Sequence, residues 1–317
     1  MIQKILIANR GAIASRIIRT CRQLHIKSVA VFSEADRDMP YVNVADEAYF
    51  LGPSPAHESY MHVDRIIDIA KDAEVDAIHP GYGFLSEDAD FAKRCHEAGI
   101  RFIGPSFKVL NKVSHKQRAK ELVKKAGVPV IPGATVEDLE DAKKIAQKIQ
   151  YPVILKIPSG GGGIGMVSVA SADGLSQAFL NLQKRAQRMF GSDAILIEKQ
   201  LHHAKHIEVQ IMADVHGNMI HLFERECSIQ RRYQKVIEEA PAVYIRDNTR
   251  KKLHDLALQV VKTMQYTNVG TVEFLVDHDE NIYFLDINPR IQVEHGVTEE
   301  ITNIDLVAEQ INITSGH

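Results

Sequence analysis

Two carboxylates and an amide are spaced so that one tight hairpin would gather them: Glu273, Asp286 and Asn288. If strands at 269–277 and 281–288 turn symmetrically about Asp279 and Glu280, Glu273 lies opposite Asp286, and the two-residue period of a strand puts Asn288 on the same face. Facing acids repel by about 0.2–1 kcal/mol, so the pattern calls for a cation between them. Hard oxygen ligands suit Mg²⁺, which also takes waters and substrate phosphates. The same register sends Val272, Phe274, Val276, Tyr283, Leu285 and Ile287 to the other face as core. Next comes Asn288-Pro289-Arg290-Ile291-Gln292-Val293-Glu294-His295, where proline and dense polarity end the strand in a loop. Arg290 can grip a small oxyanion through two N–H groups and Glu294 can serve as a general base; a plain Arg–Glu ion pair is the competing reading.

A second candidate is the run Ser159-Gly160-Gly161-Gly162-Gly163-Ile164-Gly165, between two strands and just after Lys156. Glycines let backbone N–H groups approach phosphates, and phosphate loops usually add one cation, here Lys156. A floppy turn is the competing reading. Residues 224–235, Glu-Arg-Glu-Cys-Ser-Ile-Gln-Arg-Arg-Tyr-Gln-Lys, concentrate charge beyond the needs of a turn and on their own read as a solvated run. Within it Cys227 is expected to pack in the core. His206 is one of 15 histidines, most of them expected to be structural or at the surface.

The elements that must position these groups alternate along the first hundred residues. Strands are expected at 4–8, 28–32 and 75–79, with helices after Gly11, across 63–73 and around 88–98. This βαβ rhythm implies a doubly wound parallel sheet whose ligand crevice lies beyond the carboxyl ends of the strands. Two such ends are Asn9-Arg10-Gly11 and His79-Pro80-Gly81-Tyr82-Gly83-Phe84-Leu85-Ser86-Glu87. The first lacks GxGxxG, which disfavours NAD. From about Ser114 the pattern changes: helices at 116–126 and 138–149, a strand at 153–157, the glycine run, a helix near 172–189 and a strand at 194–199. Partly alternating segments at 206–214 and 219–225 then suggest an antiparallel sheet, followed by a helix at 249–264 and the Glu273 hairpin.

The 317 residues carry 38 Lys and Arg against 41 Asp and Glu, a net charge of −3, with 45% hydrophobic residues. Disordered and fibrous classes are excluded, and no broad positive field is present for nucleic acid. Apolar runs are far shorter than the roughly 18 residues of a membrane span, and residues 1–8 read as a strand rather than an export signal. Three separated cysteines suit a reducing cytoplasm, and no CxxC or HExxH points to zinc.

In order and spacing the chain resembles biotin carboxylase, the ATP-grasp enzyme or domain of biotin-dependent carboxylases. The resemblance runs from Lys4 to Gly316 and rests on residues 7–11 (Ile-Ala-Asn-Arg-Gly), the 79–87 motif, the glycine run, Gln-Arg-Arg at 230–232 with Lys235, Glu-Glu-Ala-Pro at 238–241, and 288–295. It implies an α/β fold: an N-terminal doubly wound parallel sheet at 1–113, then an ATP-grasp domain at 114–317 with a glycine-tipped lid at about 130–203 and an antiparallel sheet.

By position it implies that Lys116, Lys156, Gly161, Gly162 and Gly163 attend the ATP phosphates. Glu198, Lys199 and Leu201 form the adenine-side hinge, and His206 and Gln230 add nucleotide contacts. Glu273 and Asp286 hold Mg²⁺ (or Mn²⁺), with Asn288 beside them from the hairpin reading. Lys235, Arg290, Gln292, Val293 and Glu294 form the bicarbonate site, with Glu294 as base, and Tyr82 approaches biotin. The implied reaction is carboxylation of biotin by way of carboxyphosphate, with a biotin carboxyl carrier and a carboxyltransferase as partners and a homodimer using the region of Arg16 and Arg19. Another ATP-grasp ligase acting on a different carboxylate, or an ATP-binding subunit without full turnover, is the alternative. Against the family pattern, Ser159 replaces a glycine, Ile164 an arginine, Tyr233 a histidine, Gly296 a proline, and Asp286 a glutamate one methylene longer. The family's chains run on past the position of His317, so a fragment or a shortened relative is expected.

Overall fold

A computed structural model describes residues 2–158 and 165–317. The first sheet contains β1 (Lys4–Ile7), β2 (Lys27–Ser33), β3 (Glu47–Gly52), β4 (Ala77–His79) and β5 (Arg101–Phe102), in the order β3-β2-β1-β4-β5 and parallel throughout. Ile5, Leu6 and Ile7 are fully buried because helices cover both faces, as a parallel sheet requires. The expected fold class holds, with β3 and β5 added to the strands anticipated from sequence.

A four-stranded antiparallel sheet follows: β6 (Gly133–Val136), β7 (Val153–Lys156), β8 (Met166–Val169) and β9 (Ile195–Lys199), ordered β6-β9-β7-β8. Its core is sealed by helices Leu139–Ile149 and Ala172–Phe190 through Ala142, Ala146, Leu175 and Phe179. The glycines Gly161, Gly162 and Gly163, with Ser159 and Ile164, lie outside the described residues.

The third sheet comprises β10 (Lys205–Ala213), β11 (Met219–Arg231), β12 (Gln234–Glu239), β13 (Asn268–Val276) and β14 (Ile282–Asn288), antiparallel in the order β12-β11-β10-β13-β14. Helix Asp247–Met264 covers one face with Leu253, Ala257, Val260 and Val261. Glu273 does pair with Asp286, but by a different route from the symmetric loop expected. The turn centres on Asp279, pairing Val276 with Ile282 and Phe274 with Phe284, and a bulge between Glu273 and Phe274 then absorbs the extra residue. Ile282 and Phe284 therefore face the core, and Tyr283 and Leu285, expected there, are only half-buried.

The charge run at 224–235 is not solvated at its start. Strand β11 continues to Arg231, and Glu224, Arg225, Glu226 and Cys227 are buried. Glu224 ties helix to sheet: its carboxylate accepts from Arg250 Nε at 2.9 Å and the Ala242 N–H at 3.2 Å, with His254 Nε2 at 2.7 Å. Burial works to raise its pKa, but His254 and Arg250 prevail and lower it from 4.5 to about 2. A carboxyl titrating lower in the folded state stabilises the fold above the unfolded value, and that contribution fades as pH drops from 4.5 toward 2. Glu224→Gln is expected to cost about 2 kcal/mol near neutrality. The gap in urea midpoint between wild type and variant should narrow on going below about pH 4.5; a constant gap would refute this account.

Arg16 is engaged within the chain, donating to Glu299 at 2.7 Å and Asp305 at 2.8 Å, which leaves Arg19 as the exposed member of that pair. No described helix is long and apolar enough to cross a membrane.

Candidate active site

Strand pairing lines up one residue from each of four neighbouring strands. Arg225 lies opposite Glu208, Glu208 opposite Glu273, and Glu273 opposite Asp286. Three acids in a row repel unless cations intervene, and three basic side chains do so. Arg225, fully buried, donates Nε to Glu208 at 2.7 Å, Nη1 to Gln210 and Thr298 at 2.7 Å each, and Nη2 to Gln292 at 2.8 Å. Lys235, carried in from β12, donates to Glu208, to Glu273 at 2.9 Å and to Glu294 at 2.7 Å. Lys116, from helix Lys116–Lys125, reaches Asp286 at 2.5 Å.

These contacts set the charge states. Desolvation works against the Lys235 ammonium, yet Glu273, Glu208 and Glu294 together hold its pKa above the ordinary lysine value. Glu273 is desolvated too, but His206, with Nε2 at 3.3 Å, and Lys235 bring its carboxyl well below the usual range. Glu294 is likewise kept ionised, chiefly by Lys235 acting against burial. Asp286 goes the other way: burial pushes its carboxyl up, with Lys116 only partly offsetting it and Glu273 adding to the rise.

Asn288 donates to Glu273 at 2.9 Å, and Gln292 donates to the same oxygen at 3.2 Å. Arg290 donates to Glu87, in the 79–87 loop, at 2.7 Å and to Asn288 at 3.3 Å. A cavity of about 250 Å³ opens between them, lined by Glu87, Lys116, Asp286, Asn288 and Arg290. Gln230 sits 2.7 Å from His206 Nδ1. Tyr82 is half-buried on the loop that Asn9 holds by donating to Pro80 O and Tyr82 O. Val293 is largely exposed.

One helical turn on from Lys116, Lys120 reaches one carboxylate oxygen of Glu198 on β9, and Lys156 donates to the other at 2.7 Å. Lys199 turns away, donating to the carbonyls of Gln150 and Tyr151, and Leu201 follows just after β9. The structure thus gathers Lys235, Glu273, Asn288, Arg290, Gln292 and Glu294 around one point with His206 and Gln230 at its side. Lys156 and Glu198 form a second cluster. Sequence reading missed Glu208, Arg225, Glu87 and Lys120. The signal for Glu208 was the polar alternation His206, Glu208, Gln210 within an otherwise apolar strand.

Hard-oxygen donors on neighbouring strands, with amines already neutralising them, fit a divalent cation at Glu273, Asp286 and Asn288. At present the two carboxylates belong to different amines, so a shared ion would displace Lys116 from Asp286. Among the described residues, the groups of three or more His, Cys, Asp or Glu side chains whose ligand atoms converge are His206, Glu208 and Glu273, and Glu208, Cys227 and Glu294. In both, the carboxylates are already held by Lys235.

Residues 1–110 match the family model for the biotin carboxylase N-terminal domain, and residues 115–317 that for the carbamoyl-phosphate synthase L chain ATP-binding domain. Biotin carboxylase 2 of Bacillus subtilis is 53% identical over all of this chain, which spans 72% of that relative's length. The biotin carboxylase–β,γ-ATP complex of Campylobacter jejuni superposes with a TM-score of 0.95 at 44% identity, covering all of this chain and 72% of the other. The biotin carboxylase domain dimer of Hydrogenobacter thermophilus 2-oxoglutarate carboxylase, solved with MgADP, ADP and bicarbonate, gives 0.93 at 45% identity, covering 100% and 70%.

Proposed function

The chain belongs to the biotin carboxylase family, and from that premise we propose that its cleft uses ATP and bicarbonate to carboxylate the biotin of a carrier protein or domain, the first half-reaction of an acyl-CoA or pyruvate carboxylase. The observation that carries this reading is the sharing of one ammonium, Lys235, by three carboxylates, one of which, Glu273, is linked through Asn288 to Arg290. An incoming bicarbonate finds two cations there and a carboxylate, Glu294, able to take its proton.

In this reading Lys116 and Lys156 hold the ATP phosphates together with Gly161, Gly162 and Gly163. The segment Glu198, Lys199 and Leu201 meets adenine, and His206 and Gln230 add nucleotide contacts. Mg²⁺ or Mn²⁺, held by Glu273, Asp286 and Asn288, supplies neutralisation of phosphate charge when bound. Lys235, Arg290, Gln292 and Val293 position bicarbonate, whose anionic charge competes with Glu294 for Lys235. As that contact loosens, the carboxyl regains basicity and accepts the proton. A bicarbonate oxygen attacks the γ-phosphorus and the bond to ADP breaks. The resulting carboxyphosphate then breaks its C–O bond to give carbon dioxide and inorganic phosphate, the phosphate takes the proton of a ureido nitrogen of biotin near Tyr82, and that nitrogen adds to the carbon dioxide. Positioning and charge neutralisation are the two demands of phosphoryl transfer, and the cleft's lysines address both.

Residues 1–113 are the N-terminal domain and 114–317 the ATP-grasp domain in this proposal, with the lid at about 130–203. The adjoining ends of the family matches, at 110 and 115, support that division. A carboxyltransferase partner, a homodimer and a cytoplasmic setting, the last supported by three buried unpaired cysteines, complete it.

ADP release from MgATP, measured with and without bicarbonate and with free biotin added, tests the reading. Bicarbonate is expected to raise the rate at least about tenfold, a small share of what oriented general-base catalysis supplies. ATP binding without a bicarbonate response, or stimulation by an amino acid instead, would overturn it.

A further inference from the structure

Glu198 is only 2% exposed and carries two lysines, Lys120 on one carboxylate oxygen and Lys156 at 2.7 Å on the other. The position is built to hold it. Gly133 faces Glu198 across the β6–β9 pair, and a Cβ there would lie 2.9 Å from the glutamate's Cγ and 2.3 Å from Ile197 O. Lys120 stands one turn beyond Lys116 on helix Lys116–Lys125, so both side chains leave the same side of that helix. Burial raises the Glu198 carboxyl, but Lys120 first and Lys156 next bring it below its ordinary value.

One carboxylate does not need two ammonium groups, and only Lys156 adjoins the glycine run. If Lys156 leaves for a phosphate, Glu198 stays buried, and a buried charge stripped of its partner is strongly unfavourable. We propose that Lys120 is the resident counter-ion of Glu198 and so a positioning residue for Lys156: it keeps the buried carboxylate paired while Lys156 moves to the nucleotide phosphates. This rests on the nucleotide reading of the cleft given above. Without Lys120, Lys156 is pinned to Glu198 and phosphate binding has to break that pair.

Binding of MgATP and of adenosine, measured calorimetrically, separates the possibilities. In Lys120→Met, the Kd for MgATP is expected to rise about tenfold or more while that for adenosine, which has no phosphate to draw Lys156, stays within about twofold. Lys120→Arg should restore MgATP binding. In a Glu198→Gln background the carboxylate is gone and Lys156 is already free, so adding Lys120→Met should change little. Unchanged MgATP binding in Lys120→Met, or equal loss of MgATP and adenosine, would overturn the proposal. A full Lys120→Met effect in the Glu198→Gln background would also overturn it, showing that Lys120 touches phosphate itself. Wild-type protein that binds neither ligand would instead bring down the nucleotide reading, and this inference with it.

Discussion

Glu294→Gln is expected to lower bicarbonate-dependent ADP release by about 10²–10⁴-fold, the usual contribution of a positioned general base, while MgATP binding stays within about twofold. Three carboxylates surround Lys235, and only one has capacity to spare. Glu208 is fully buried and already accepts from both Arg225 and Lys235. One oxygen of Glu273 takes Lys235, Asn288 and Gln292, and the other faces His206. Glu294 accepts from Lys235 alone among the described residues and sits at the start of helix His295–Thr302, beside the exposed Val293. Glutamine has the same shape and can still accept from Lys235, so a loss of rate isolates proton acceptance from packing. Undiminished turnover in this variant would remove Glu294 from the role.

The Glu273–Asp286 pair was legible because it depends on hairpin parity, which sequence carries directly. Its wrong companions, Tyr283 and Leu285, came from the bulge that parity alone does not show. The first domain was legible in class for a similar reason: parallel strands buried on both faces leave continuous apolar runs such as 5–8. Residues 224–227 misled because local polarity stands for exposure only when the partner is water. Here the partner of Arg225 is Glu208, seventeen residues upstream, and no local window contains both. Lys120 was hidden differently. On its helix it looks like one of several surface lysines, and only the folding of β9 against β6 and β7 brings Glu198 beneath it.

Arg225 is where the largest loss of stability is expected. Its side chain is fully buried and donates to Glu208, Gln210, Thr298 and Gln292, joining β10 and β11 to the 288–295 loop and the following helix. Arg225→Met keeps much of the volume but strands those acceptors and leaves Glu208 with Lys235 as its remaining cation. Removing one member of a buried ion pair costs about 3–5 kcal/mol, and for a chain of this size each kcal/mol lowers Tm by about 2–4 °C, so a fall of roughly 10 °C is expected. Arg225→Lys should recover only part of it, because one ammonium cannot reproduce a planar fork that serves Glu208, Gln210, Thr298 and Gln292 and also reaches Thr271 at 3.4 Å. Denaturant titration of both variants reads this out, and a Met variant within about 1 kcal/mol of wild type would show that the network is dispensable. The effect should also reach the cleft. Gln292 bridges Arg225 to Glu273, so even the folded fraction of Arg225→Lys should have a higher KM for bicarbonate, the small anion whose cage depends on that loop.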